Sequence, residues 1–197
     1  MTTVERWSPS RATHMLILIN ILVFAALNLF PAARANILLD PQQVWRAPWT
    51  IVTVAFSHEI VLHLVLNLAL IFVFGRELER LVGAGYVFLA YLLTGVLGSL
   101  AILPYAAAIQ WTGTAVGASA AAFGIVATLA AIRPDLRILK GTAQQWLLAL
   151  FVVNLVITVL NPEISIGGPA HAAGIIVGYL LGAWLKRNVR HRLAPDA

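Results

Sequence analysis

Long apolar runs broken by short polar or charged punctuation set the pattern of this chain. Six stretches are long and apolar enough to cross a bilayer as helices, at about 14–30, 57–75, 84–103, 114–132, 145–161 and 168–186. Between them stand turn and charge signals: Pro31, the Arg76 to Arg80 cluster with Gly83 and Gly85, Pro104, Arg133-Pro134-Asp135 and Asn161-Pro162. No connector is long enough to hold a second domain, and no internal repeat stands out. The expected fold is therefore an all-α, polytopic membrane protein, a single six-helix bundle spanning residues 1–197. Ala-rich patches at 118–122 and 170–173 point to helices packed at close range.

Composition narrows the classes. Of 197 residues, 60% are hydrophobic and only 11% charged, with a mean hydropathy of +0.88, which excludes an ordinary soluble domain and a disordered chain. A net charge of +5 would raise nucleic acid as a partner in a soluble protein, but basic patches interleaved with aromatics are missing. The positive charge instead orients the spans. Arg6, Arg11, Arg76, Arg80, Arg133, Arg137, Lys140, Lys186, Arg187, Arg190 and Arg192 fall on one side, and Arg34 and Arg46 on the other. That bias places both termini in the cytoplasm, with 31–56, 104–113 and 162–167 outside. The competing reading is a cleaved secretory leader, suggested by Arg6 and Arg11 before an apolar run and by Ala33-Arg34-Ala35. The length of that run and of the polar segment before it argues against a leader. Without cysteine there is no disulfide, thiolate nucleophile or Cys-bound zinc.

Polar side chains inside a span are costly, so each is a functional candidate. Here they are His58, His63, Asn67, Glu79, Ser99, Ser119, Asn154 and His171. At 1.5 Å per residue, His63 lies about 9 Å past the start of the second span, Ser119 a similar distance into the fourth and His171 roughly a turn into the sixth. All three of these spans run from outside to inside, so the three residues fall at comparable depth. His63 and Asn67, four apart, share a helix face. Ser119 is flanked by small residues, and Gly174 and Gly178 after His171 form a small strip able to pack on Ala120 and Gly124. Contact through these strips would bring a hydroxyl to an imidazole, the minimum for nucleophilic attack on a carbonyl. Donors at His63, Asn67 and the backbone near Ser119 would then serve the oxyanion.

Less functional roles suit the others. Asn154 and Ser99 are expected as interhelical hydrogen-bonders, and Glu79 as part of an interfacial charge cluster ending its helix. Zinc is disfavoured: His58 and His63 are five apart, whereas H-E-x-x-H needs a spacing of four on one face. No cofactor and no metal is expected.

These residues resemble the rhomboid family of intramembrane serine proteases in its minimal six-helix form, from about Trp49 to Gly182. The second span, FSHEIVLHLVLN, is similar to a family histidine pair followed by H-x-x-x-N, at His58, His63 and Asn67. Gly75 to Glu79 resembles G-x-x-x-E, with Glu79 as the structural acid. VGASAAAFG resembles the G-x-S-x nucleophile motif, implying Ser119 as nucleophile and Gly117 beside the oxyanion site. AHAAGIIVG resembles A-H-x-x-G-x-x-x-G and implies His171 as general base. The chain departs from the family in having Ala120 after the serine, Phe123 where many relatives carry Tyr, and Trp49-Thr50 where an aromatic-Arg pair is common.

The resemblance implies a Ser-His dyad cutting membrane-protein substrates in or near their transmembrane segments, from an outward-opening cavity entered sideways from the lipid. It is set against a catalytically inactive relative that binds membrane-protein clients, and against a solute transporter, which would show broken helices or mid-membrane charges. A prokaryotic inner membrane is the expected location, with lipid and transmembrane proteins as partners and no nucleic acid.

Overall fold

The computed structural model describes residues 10–162 and 165–188, so Arg6, Arg190 and Arg192 lie outside the described residues. Among these the long helices are α1 Arg11–Leu29, α2 Val61–Val82, α3 Ala84–Ala108, α4 Ser119–Ile132, α5 Ala143–Leu160 and α6 Gly168–Asn188. The protein is an all-α polytopic bundle: five of the helices are long and apolar enough to cross a membrane, and α4 is a shorter apolar helix.

α4 is the axis of the fold. Every residue from Ala120 to Ile132 except Phe123 is buried, and α2, α3, α5 and α6 pack around it. A helix apolar on all sides belongs inside a bundle. The outer helices show the opposite pattern: Val152, Val153, Val156 and Leu160 of α5 are exposed, an apolar surface suited to lipid.

The helix limits differ from the hydropathy pattern where it matters most. At fourteen residues, α4 covers about 21 Å of a hydrocarbon core about 30 Å thick. The pattern suggested a span from about 114, but residues 114–118 are not helical. Ala115 instead pairs with Leu39 in an isolated antiparallel bridge, and Gly117 takes φ +134°, a region closed to most side chains. α2 starts at Val61, later than hydropathy alone implied, because Val54–Phe56 is a separate helical turn. α3 runs through Pro104 to Ala108 and reverses at Gln110.

Elsewhere local chemistry sets the ends. A single residue, Gly83 at φ +91°, joins α2 to α3. After α4, strands β1 (Arg137–Ile138) and β2 (Gly141–Thr142) form a short antiparallel hairpin. Thr142 then opens α5 with a reciprocal capping box to Gln145.

Glu79 departs from its expected role as an interfacial charge. It is buried and accepts hydrogen bonds from the Ala12 and Thr13 amides at 3.0 and 2.9 Å and from the Thr13 hydroxyl at 2.7 Å. A carboxylate thus holds the N-terminus of α1, where unpaired amides and the helix dipole favour negative charge. Ser99 also differs: its hydroxyl bonds the Gly95 carbonyl of its own helix at 2.8 Å rather than a neighbour.

Candidate active site

Three helix starts meet at the centre of the site. His63 is the third residue of α2, Ser119 the first of α4 and His171 the fourth of α6. Ser119 does not lie within a helix, as the hydropathy pattern implied, but opens α4 after the non-helical residues 114–118.

Ser119 Oγ lies 2.6 Å from His171 Nε2. That approach depends on α4 and α6 lying almost in backbone contact. A Cβ built on Gly174 would overlap the Ala120 carbonyl oxygen, and one on Gly178 the Gly124 carbonyl oxygen. Thr128 of α4 reinforces the contact by donating to the Gly178 carbonyl at 2.9 Å. Phe123, one turn beyond Ser119, stacks on the imidazole with ring centroids 4.6 Å apart.

The far side of the imidazole is also held. His171 Nδ1 lies 2.7 Å from Asn154 Oδ1 on α5, and Asn154 Nδ2 donates to the Gly168 carbonyl at 3.2 Å. In the sequence Asn154 is no more than an interhelical hydrogen-bonder, with nothing else at matching depth. Both of its bonds do cross to α6, but one ends on the site's own histidine. The only available signal was an amide inside an apolar span, which does not say which neighbour it faces.

On the opposite side of Ser119 stand His63 and Gly117. A Cβ on Gly117 would lie 3.0 Å from His63 Cε1 and 3.2 Å from both His63 Nε2 and Ser119 Oγ, so the Gly117 backbone fits between them with no room for a side chain. The first amides of α4 have no carbonyl behind them within the helix and leave donors beside the hydroxyl. Asn67 lies one turn below His63, but its amide donates to the His63 carbonyl at 2.9 Å and so is partly engaged by its own helix. His58 is fully buried and meets the His63 ring edge-on at 5.0 Å. Ser119, His63, Gly117 and His171 are each only partly buried.

The loop above the site is pinned largely by backbone carbonyls. Trp49 Nε1 donates to the Asn36 carbonyl at 3.1 Å, Thr53 to the Ile37 carbonyl at 2.9 Å and buried Thr50 to the Ala47 carbonyl at 2.6 Å. Arg34 and Glu59 form an exposed ion pair nearby.

The Rhomboid domain model matches residues 41–188, three quarters of the chain and all of the site just described. The chain belongs to the rhomboid family. Rhomboids are typically intramembrane serine proteases. Similar proteins include Rhomboid protein 1, mitochondrial, of Saccharomyces cerevisiae, 28% identical over 95% of this chain and 57% of its own length. Rhomboid-like protease 3 of Toxoplasma gondii is 30% identical over 70% of this chain and 50% of its own. RHOMBOID-like protein 7 of Arabidopsis thaliana is 34% identical over 74% and 44%. The chain thus spans about half the length of the curated relatives it matches. Membership together with the apolar helices makes it an integral multi-pass membrane protein. These relatives are eukaryotic, so the prokaryotic inner membrane expected from the sequence gains no support from them.

Proposed function

We propose that this rhomboid is an active intramembrane serine endopeptidase, with Ser119 as nucleophile and His171 as general base. The observation that carries the reading is the 2.6 Å contact between Ser119 Oγ and His171 Nε2. In the reaction, Oγ attacks the scissile carbonyl carbon while its proton passes to Nε2. Collapse of the tetrahedral intermediate breaks the C–N bond, and the imidazolium returns the proton to the leaving amine. Water then hydrolyses the acyl ester, with His171 again taking the proton. The intermediate's oxyanion is served by the backbone amides at the start of α4 and by the His63 ring beside Gly117. Asn67 supports this arrangement by holding the turn that carries His63.

The substrate is a transmembrane segment of another membrane protein, entering from the lipid and unwinding at the cut, since attack needs an accessible, extended peptide bond. Sidedness follows from charge. The ends of α2, α4 and α6 that carry Arg76, Arg80, Arg133, Lys186 and Arg187 face the cytoplasm, and the site opens to the other side.

The test is a fluorophosphonate reaction with the purified protein in detergent beside Ser119→Ala and His171→Ala, the labelled peptide being read by mass spectrometry. Labelling confined to Ser119 and lost in both variants is expected. Absence of labelling in folded protein would overturn the reading in favour of a client-binding, inactive rhomboid.

A further inference from the structure

We infer that Asn154 is a positioning residue of this site, which selects the imidazole tautomer of His171 that can take the serine proton. This rests on the protease reading above and extends it from a dyad to a chain of four groups. Its basis is the unbroken hydrogen-bond path from the Gly168 carbonyl through the Asn154 amide and the His171 ring to Ser119.

The Gly168 carbonyl only accepts, so the Asn154 atom facing it is the NH₂ group, and Oδ1 is left facing the ring. Because Oδ1 only accepts, the ring nitrogen 2.7 Å away carries a hydrogen. A neutral imidazole protonated on Nδ1 has its lone pair on Nε2, the nitrogen 2.6 Å from Ser119 Oγ. The opposite amide orientation would set oxygen against oxygen at Gly168 and call for the proton on Nε2, where it could not receive one from serine. One backbone carbonyl on α6 thereby decides the proton position at the reacting nitrogen.

Packing supports the same assignment. Asn154 is buried, leaving no water shell to satisfy the amide in another orientation. Gly168 lets the start of α6 approach α5: a Cβ there would overlap the Thr158 hydroxyl, one turn from Asn154. The approach brings both the Gly168 carbonyl and the His171 ring within reach of one amide. When His171 becomes an imidazolium, Oδ1 still accepts from Nδ1, without placing a full negative charge in a buried site.

The experiment compares the unsubstituted protein with Asn154→Leu, which keeps a branched side chain of four heavy atoms but removes the acceptor, and Asn154→Asp, whose neutral acid restores both an acceptor toward Nδ1 and a donor toward the Gly168 carbonyl. The concentration dependence of fluorophosphonate labelling separates probe affinity from the bond-forming rate. Asn154→Leu should lower that rate roughly 10- to 100-fold with affinity unchanged, as expected when a residue orienting a reactive ligand is lost and less than the about 10⁴ for a triad carboxylate. Asn154→Asp should recover most of it, which a purely packing role would not predict. Labelling of Asn154→Leu at the unsubstituted rate, or no recovery in Asn154→Asp, overturns the inference. ¹⁵N-imidazole NMR of the unsubstituted protein gives a reading independent of variant folding, with His171 assigned by its loss in His171→Ala. Nδ1-protonated His171 is expected, and the Nε2-protonated form overturns the inference. If the unsubstituted protein labels at Ser119 and only the Asn154 results fail, the protease reading survives without this residue. If Ser119 does not label at all, both fall.

Discussion

Ala115 and Leu39 exchange two backbone hydrogen bonds, Ala115 N–H to Leu39 carbonyl at 2.7 Å and Leu39 N–H to Ala115 carbonyl at 3.3 Å. This pair ties the loop above the site to the strand-like stretch that delivers Ser119. Ala115→Pro removes one donor and leaves its carbonyl partner unpaired. A net loss of about 1 kcal/mol lowers the equilibrium constant for the arrangement holding Ser119 in place about fivefold, which sets the largest drop to expect. Fluorophosphonate labelling rate should fall by that order while the melting temperature in detergent changes little; an unchanged rate would show that the bridge does not position the nucleophile.

His63 and Asn67 should respond unequally. His63→Ala removes a donor beside the developing oxyanion and should lower the bond-forming rate about 10²- to 10³-fold. Asn67 already donates to the His63 carbonyl, so Asn67→Ala should act indirectly and cost less. Measuring both rates against probe affinity separates them, and equal losses would place Asn67 on the oxyanion directly.

Gly174→Leu and Gly178→Leu should each lose labelling and thermal stability together. A side chain at either position collides with a backbone carbonyl of α4, which cannot rotate away, so α6 must move and Ser119 and His171 separate. A stable, fully labelled variant would mean that the helices can part without breaking the site.

Glu79→Ala separates stability from activity. It strips three hydrogen bonds from the N-terminus of α1, a buried charged acceptor worth about 2 to 4 kcal/mol in total. The residue lies sixteen positions from His63 along α2, about 24 Å at 1.5 Å per residue. The melting temperature should drop by several degrees, while folded protein labels at Ser119 as before. Loss of labelling in folded protein would reveal coupling along α2.

Stability should fall with acid through His58. Burial, and then the neighbouring His63 imidazole, lower its pKa from 6.5 to about 4, against a smaller opposing influence of the Phe56 backbone. The unfolded chain therefore binds more protons than the native one between those values, and stability declines as pH falls from about 6.5 toward 4. His58→Leu should show a shallower decline between pH 7 and 5. Beyond a weak approach to the Phe56 backbone, the ring nitrogens of His58 make no hydrogen bond to the described residues, so the variant should be close to the unsubstituted protein at pH 7. An identical slope in both would assign the acid sensitivity to other groups.

Much of the architecture was legible along the chain, because lipid forces it to be. A backbone that crosses hydrocarbon must satisfy its own polar groups, so each span appears as a long apolar run, and the few polar side chains within the spans stand out. His63, Ser119 and His171 were visible in this way, and the Gly174 and Gly178 strip announced the close approach that joins two of them. For Glu79 the residue pattern alone pointed to surface charge and the family resemblance to a structural acid, but neither says which amides it holds, the start of α1 being far away in the chain.

What the sequence by itself determined is the succession of apolar helices and the inventory of costly polar groups, since hydropathy is a local property read residue by residue. The tertiary structure alone decided that α4 begins at Ser119 rather than before it, and that Asn154 faces His171 rather than another neighbour. Both depend on contacts between segments far apart in the chain: Leu39 draws residue 115 out of helical geometry, and Gly168 brings α6 onto α5. No local pattern records how a helix is rotated about its axis or where a partner strand arrives, and in this protein those two facts set how Ser119 and His171 meet.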